Sequence, residues 1–389
     1  MKTGFEANIG KFYLYKYLRG LWIPAAIWTL YLLARNFNYT QIGFTDIAFA
    51  AVIILFEIPS GAFADLVGRK YSVCLGYFLI AISSLFIGLT GKFSFIILAL
   101  AIFGLGETFV SGAANALIYD TLKILKKEKL YAKIDGRANA LFSFGSVCGA
   151  FIGAYLFSIN ISFPYYLGAV VFALAGLSFL AMKEPNQRTA KYNIKEHYTQ
   201  MIEGCKYVKG HPKVKWIIAF SSIIATIFGY QIFIVSPALT TFGFDVKYFG
   251  FLFALIWGIE AIVFWNAHKI LDYLGEKKAL FAVGIIYAIS FTILSMVNFW
   301  LALLFIIISY FGRGLFHPVR NNFIQKRIVS SHRATTLSIQ SFATSLLSII
   351  ATLILSKLTD LLSISKVYLI VGILALVATI VLYLTYPKK

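Results

Sequence analysis

Arg19, Glu107, Glu260 and Arg313 each interrupt an otherwise apolar run of residues. A carboxylate or guanidinium in such surroundings is costly to leave ionised without a partner. Three kinds of chemistry are open to these groups. They can pair with one another, carry a proton, or hold a polar or charged solute. Glu107, Ser111 and Asn115 are spaced by four and share one helix face. Glu260 lies close to Trp257, and Arg19 close to Trp22. Gln231, His317 and Arg320 add polar groups to other apolar runs. Glu57, Gly61 and Asp65 are again spaced by four. For each the alternative is a static role, satisfying a neighbour inside a helix bundle. For Glu57 that role is a hydrogen-bonded packing residue, set against proton carriage.

The elements that must position these residues follow from composition. Of 389 residues 60% are hydrophobic and 13% charged. That balance fits a polytopic membrane protein, whose lipid-facing and core-facing surfaces are both apolar. The formal charge of +19 does not point to nucleic acid, because the bases collect in short loops on alternate sides of the apolar runs. Cys74, Cys148 and Cys205 lack metal-ligand spacing and read as reduced, structural thiols. No cleavable signal pattern follows Lys2–Lys11, so the first apolar run reads as a retained helix. Between Arg19 and Arg35 only 15 residues are uncharged. That is too short for a ~30 Å core, so Arg19 must lie inside the first span or snorkel to its edge.

The expected architecture is all-α, with twelve transmembrane helices in two six-helix bundles. The expected divisions are 1–183, a cytoplasmic linker 184–212, and 213–389. Within the linker Ile194, Tyr198, Met201, Ile202, Cys205 and Val208 suit an amphipathic helix lying on the membrane, or else a solvated connection. The loop charges place both termini in the cytoplasm.

Gly61-Ala62-Phe63-Ala64-Asp65-Leu66-Val67-Gly68-Arg69-Lys70 reads as a tight turn between the second and third spans. Gly68 suits the bend. Asp65 is placed to accept from free N–H groups at a helix start. The device recurs: Asp272, Gly275 and Lys277 stand 207 residues after Asp65, Gly68 and Lys70. Glu107 aligns with Arg313, and Asn115 with Asn321, at an offset of 206. The chain is therefore a duplication. The symmetry predicts a Glu107–Arg313 pair across the halves.

The turn and its repeat resemble the loop signature of the major facilitator superfamily of secondary transporters. The resemblance covers the whole chain and implies the two-bundle fold and alternating access. It implies that Gly61, Asp65, Gly68, Arg69 and Lys70, with Asp272, Gly275 and Lys277, form cytoplasmic gates. Gly145, Gly149 and Gly153 make a groove for a facing helix. They also resemble the family's antiporter signature, with Ala150 in place of the proline and Ala154 in place of the last glycine. Drug-exporting members commonly carry an arginine where this chain has Thr108.

On this reading the protein is a monomeric transporter in the cell membrane, working on a small molecule among lipids. It needs no cofactor beyond a proton gradient. Proton-coupled efflux of amphipathic or drug-like compounds stands first. Uptake or exchange of a polar or anionic metabolite, drawing on Arg19, Arg313 and His317, stands second. A non-transporting receptor or lipid-modifying protein is the third class. No zinc-protease helix and no Walker loop is present in the sequence, which argues against an enzyme and against a self-contained ATP-driven pump.

Overall fold

Each apolar run forms a helix, because a bilayer leaves backbone N–H and C=O groups no partners except one another. The computed structural model describes residues 3–185, 206–328 and 330–387, and holds no strand among them. Span 1 is Thr3–Gly20 and Trp28–Ala34, joined through a 3-10 turn at Ile23–Ala26. Span 2 is Tyr39–Val67, and span 3 is Arg69–Leu89. Span 4 is Phe93–Val110 with Ala113–Ile124. Span 5 is Tyr131–Ile159, and span 6 is Phe163–Leu180. Span 7 is Pro212–Thr241. Spans 10, 11 and 12 are Phe299–Arg327, Ser330–Leu361 and Ile364–Leu384.

Spans 8 and 9 lie in one helical run, Phe249–Leu294, interrupted at Gly275 with φ 73° and ψ 162°. Its 46 residues would reach roughly 70 Å, twice what a ~30 Å core needs. The run therefore crosses twice and turns at Gly275, giving twelve spans among the described residues. Span 1 begins as early as Thr3, and span 11 runs on to Leu361. Helices continue past the apolar core because their ends in water still gain backbone hydrogen bonds.

The chain divides into two units. The first holds spans 1–6 with Val246–Phe253, and the second holds span 7 with the remainder of spans 8–12. In the first unit, span 5 packs on span 1 through its glycines. A Cβ at Gly145 would fall 2.5 Å from the carbonyl oxygen of Tyr17, and one at Gly153 would collide with that of Ile23. At Gly149 the nearest backbone atoms of Leu21 and Trp22 are 3.3 Å away. Phe12, Tyr15, Tyr77 and Phe179 fill the core beside this seam. Tyr15 packs edge-on to Phe179 and Tyr77, with centroids 4.9 and 5.7 Å apart.

In the second unit, span 7 is fixed to span 11 by hydroxyls instead. Thr344 donates to Ser222 at 3.0 Å, and Thr226 and Ser348 share a bond of 3.1 Å. Tyr230 and Thr359 share one of 2.8 Å. Ser222, Thr226 and Tyr230 are spaced by four, so one face of span 7 carries the ladder.

Two spans are broken where charge sits. Pro24 supplies no N–H to continue span 1, and the chain leaves the helix at Leu21–Trp22, two residues after Arg19. Span 4 breaks at Ser111–Gly112, about one turn after Glu107, with Gly112 at φ 73°. The linker residues Ile194 to Cys205 lie outside the described residues, so the expected amphipathic helix does too.

Candidate functional site

In the first unit these breaks flank an ion pair. Arg19 Nη2 lies 3.3 Å from Glu107 Oε2. Arg19 Nη1 also donates to the Tyr15 hydroxyl at 3.4 Å, and Tyr77 donates to the same oxygen at 3.5 Å. The Arg19 and Glu107 side chains are 32% and 28% exposed. Trp22, one turn from Arg19, is exposed and stacks on Phe103, whose ring also meets Phe49. The result is a paired charge at the edge of an aromatic surface.

The second unit builds a counterpart from different helices. Glu260 on span 8 accepts from Arg313 Nη1 on span 10 at 3.2 Å, and Arg313 Nε lies 3.1 Å from the other carboxylate oxygen. The Arg313 guanidinium also sits over the Phe228 ring, 4.1 Å from its centroid, and 6.0 Å from that of Tyr310. Aromatic faces attract a cation, so Arg313 is held on two sides.

Within the units Glu107 pairs with Arg19, and Arg313 with Glu260. Each charge finds a partner one helix away within its own unit, and repeat symmetry says nothing about such neighbours. Glu107 and Arg313 occupy corresponding places on spans 4 and 10 with opposite charge, and each has recruited its own counter-ion.

The turns at Gly68 and Gly275 show the same inversion more strictly. Gly68 turns the chain at φ 121°, and Arg69 then pairs with Asp120 at the end of span 4. Gly275 does the same in the second unit, and Glu276 pairs with Arg327 Nη1 at 2.5 Å and with Lys326 Nζ at 3.1 Å. Arg69 to Glu276 and Asp120 to Arg327 are both offsets of 207. The contact recurs with its charges exchanged. Asn322 adds a hydrogen bond to Glu276 at 3.1 Å, and Lys277 lies over the rings of Tyr383 and Tyr386. A cavity of about 560 Å³ opens beside this second turn, lined by Asp272, Glu276, Lys277, Asn322 and Arg327 among others.

The expected capping by Asp65 is corrected. Glu184 accepts the backbone N–H groups of Arg69 at 3.0 Å and Lys70 at 2.7 Å. Asp65 is exposed and makes no ion pair among the described residues. Asp272 is exposed as well.

The remaining expected residues are not gathered around the ion pairs. Glu57 is exposed, and its carboxylate has no hydrogen bond among the described residues. Asn115 is exposed on span 4. Gln231 is fully buried in span 7, and neither amide atom has a protein partner. Such a group costs ~1–3 kcal/mol unless a water or solute meets it. His317 lies one turn beyond Arg313, its ring beside that of Phe316, and Arg320 hydrogen-bonds the side chain of its neighbour Asn321.

Three charged residues escape the sequence reading. Asp120 and Arg327 are findable, since both stand at the repeat offset from one another, as Arg69 and Glu276 do. Asp46 is findable as an acid eleven residues before Glu57 in the same span.

Comparison with known proteins agrees with this fold. The family model described as Major Facilitator Superfamily matches residues 19–289 and 267–389. The MFS-type transporter YxaM of Bacillus subtilis (strain 168) is 24% identical over 386 residues, covering 97% of this chain and 95% of that protein. The quinolone resistance protein NorA of Staphylococcus aureus (strain COL) is 22% identical over 373 residues, covering 91% and 89%. The crystal structure of a point mutant of the nucleoside transporter NupG superposes with a TM-score of 0.87 at 13% identity, covering 97% of this chain and 100% of that one. With twelve spans, a duplicated turn and a family match running through both units, the chain belongs to the Major Facilitator Superfamily.

Proposed function

We propose that this transporter exports small amphipathic or drug-like compounds from the cell in exchange for protons. The observation that carries the reading is the presence of carboxylates within the apolar spans of the first unit, next to an exposed aromatic surface. Asp46 and Glu57 lie within span 2, and Trp22 stacks on Phe103 beside the Arg19–Glu107 pair. Stacked rings suit flat, apolar solutes, and their faces attract a cation. The named activity of NorA, quinolone resistance, supports the same direction of transport. Alternating access then moves the solute one way and protons the other.

A second reading is uptake or exchange of an anionic metabolite. It draws on span 10, where His317 and Arg320 have no acidic partner among the described residues.

Proteoliposomes with an acidic lumen and trapped pyranine separate the two. Export predicts that ethidium or a fluorescent quinolone accumulates inside while the lumen loses protons. Movement of both probes without any proton flux sinks the antiport reading. Accumulation of an anionic nucleotide or sugar phosphate, with neither probe moving, favours the second.

A further inference from the structure

We propose that Asp46 on span 2 is the residue that binds and releases the exchanged proton. The assignment rests on the proton-antiport reading above and adds the identity of the carrier.

Four carboxylates lie well inside the spans discussed: Asp46, Glu57, Glu107 and Glu260. Two are committed. Glu107 is held by Arg19 and Glu260 by Arg313. Arginine does not give up its proton in a protein. If either acid took a proton, it would leave a guanidinium unpaired within the membrane, which is strongly unfavourable. These two acids suit fixed pairs better than a proton cycle.

Asp46 and Glu57 carry no such partner. Asp46 makes no hydrogen bond or ion pair among the described residues. It stands seven residues into span 2, about 10 Å from the helix start. Span 2 packs on spans 4 and 3 and touches the end of span 1. The charges those elements bring are engaged elsewhere or stand at the ends. Arg35 is held by Ser162 Oγ at 2.8 Å and the Gly88 carbonyl at 3.3 Å. Glu107 is taken by Arg19, and Arg69 by Asp120. Lys92 precedes span 4, and Lys70 opens span 3 over the Tyr71 ring.

Position separates Asp46 from Glu57. Glu57 is exposed, whereas Asp46 is partly enclosed. Three residues after Asp46, on the same face, Phe49 packs against Phe103 of span 4, and a Cβ on Gly104 would meet the Phe49 carbonyl at 2.8 Å. Asp46 thus borders the seam between spans 2 and 4. An enclosed carboxyl without a counter-ion is stable in its neutral form, and ionises when water reaches it. Its proton occupancy therefore follows access, which is what coupling requires. The step balances simply. A carboxylate oxygen of Asp46 takes one proton from water on the outer side, forming one O–H bond. That bond breaks to water on the cytoplasmic side, and the carboxylate is regenerated.

The test uses the full-length protein in proteoliposomes with ethidium as probe. Two assays run side by side: accumulation driven by an imposed pH gradient, and ethidium counterflow with no gradient. Asp46→Asn should lose gradient-driven accumulation and its proton flux, while counterflow persists. Asp46→Glu should keep coupling, with its pH midpoint displaced. Wild-type coupling in Asp46→Asn would overturn the assignment. So would loss of counterflow together with accumulation in both variants, which would mark Asp46 as structural. If the unmutated protein moves ethidium with no proton flux, the antiport reading itself fails, a result visible before any substitution is made.

Discussion

Arg19 and Glu107 each make the other tolerable inside the bundle. Removing one partner of a fully buried pair costs about 3–5 kcal/mol, and partial exposure of both side chains lowers that figure here. Arg19→Ala or Glu107→Gln should therefore lower both thermal stability and transport, each leaving one charge stranded. Exchanging the two, as Arg19→Glu with Glu107→Arg, should recover part of what either single change to the opposite charge loses. A double-mutant cycle on the melting temperature and on ethidium efflux measures that recovery. Strict additivity would show that the 3.3 Å contact contributes nothing. Glu260 and Arg313 differ in that Phe228 also holds the guanidinium, so lysine is a poor substitute for Arg313.

Among the elements, span 5 against span 1 is the tightest seam in the first unit. It depends on side chains that are missing. Gly153 meets the Ile23 carbonyl at the point where span 1 is already broken. Gly153→Leu should keep the two helices apart, costing about 1–3 kcal/mol or more through overpacking. Reduced yield of folded, monodisperse protein after extraction in detergent checks this. Gly149→Ala should be far milder, because its nearest backbone neighbours stand back at 3.3 Å. A Gly153→Leu protein as stable as the parent would mean that the seam opens without cost. In the second unit the corresponding attachment is the hydroxyl ladder of Ser222, Thr226 and Tyr230, which contributes through hydrogen bonds instead of close backbone approach.

Across the whole molecule, the duplicated turn holds a contact while exchanging its charges. Arg69 with Asp120 and Glu276 with Arg327 are the same pair written in opposite sign. The second unit thus predicts a rescue for the first. Arg69→Glu alone should impair transport, since it sets two acids against each other. Arg69→Glu with Asp120→Arg should restore it, because the second unit already works that way round. Efflux rates of the single and double variants decide it, and a double variant no better than the single would refute the equivalence. The twelve spans, the turns at Gly68 and Gly275 and the duplication are all legible in the chain. Each depends on local hydropathy, local backbone freedom or a fixed offset along the sequence. Glycine spacing on span 5 likewise identifies a face that can meet another helix. The partners of the charges are a different matter. Glu107 could be seen to need a cation, and the repeat offered Arg313, but nothing along the chain pointed to Arg19. Asp65 looked like a cap, whereas Glu184 reaches the helix start. An ion pair depends on separations of a few ångströms between residues far apart in sequence, and only packed helices fix those distances. The sequence by itself therefore determined which segments cross the membrane and which residues need company there. The tertiary structure alone decided who keeps company with whom, and left Asp46 without a partner among the described residues.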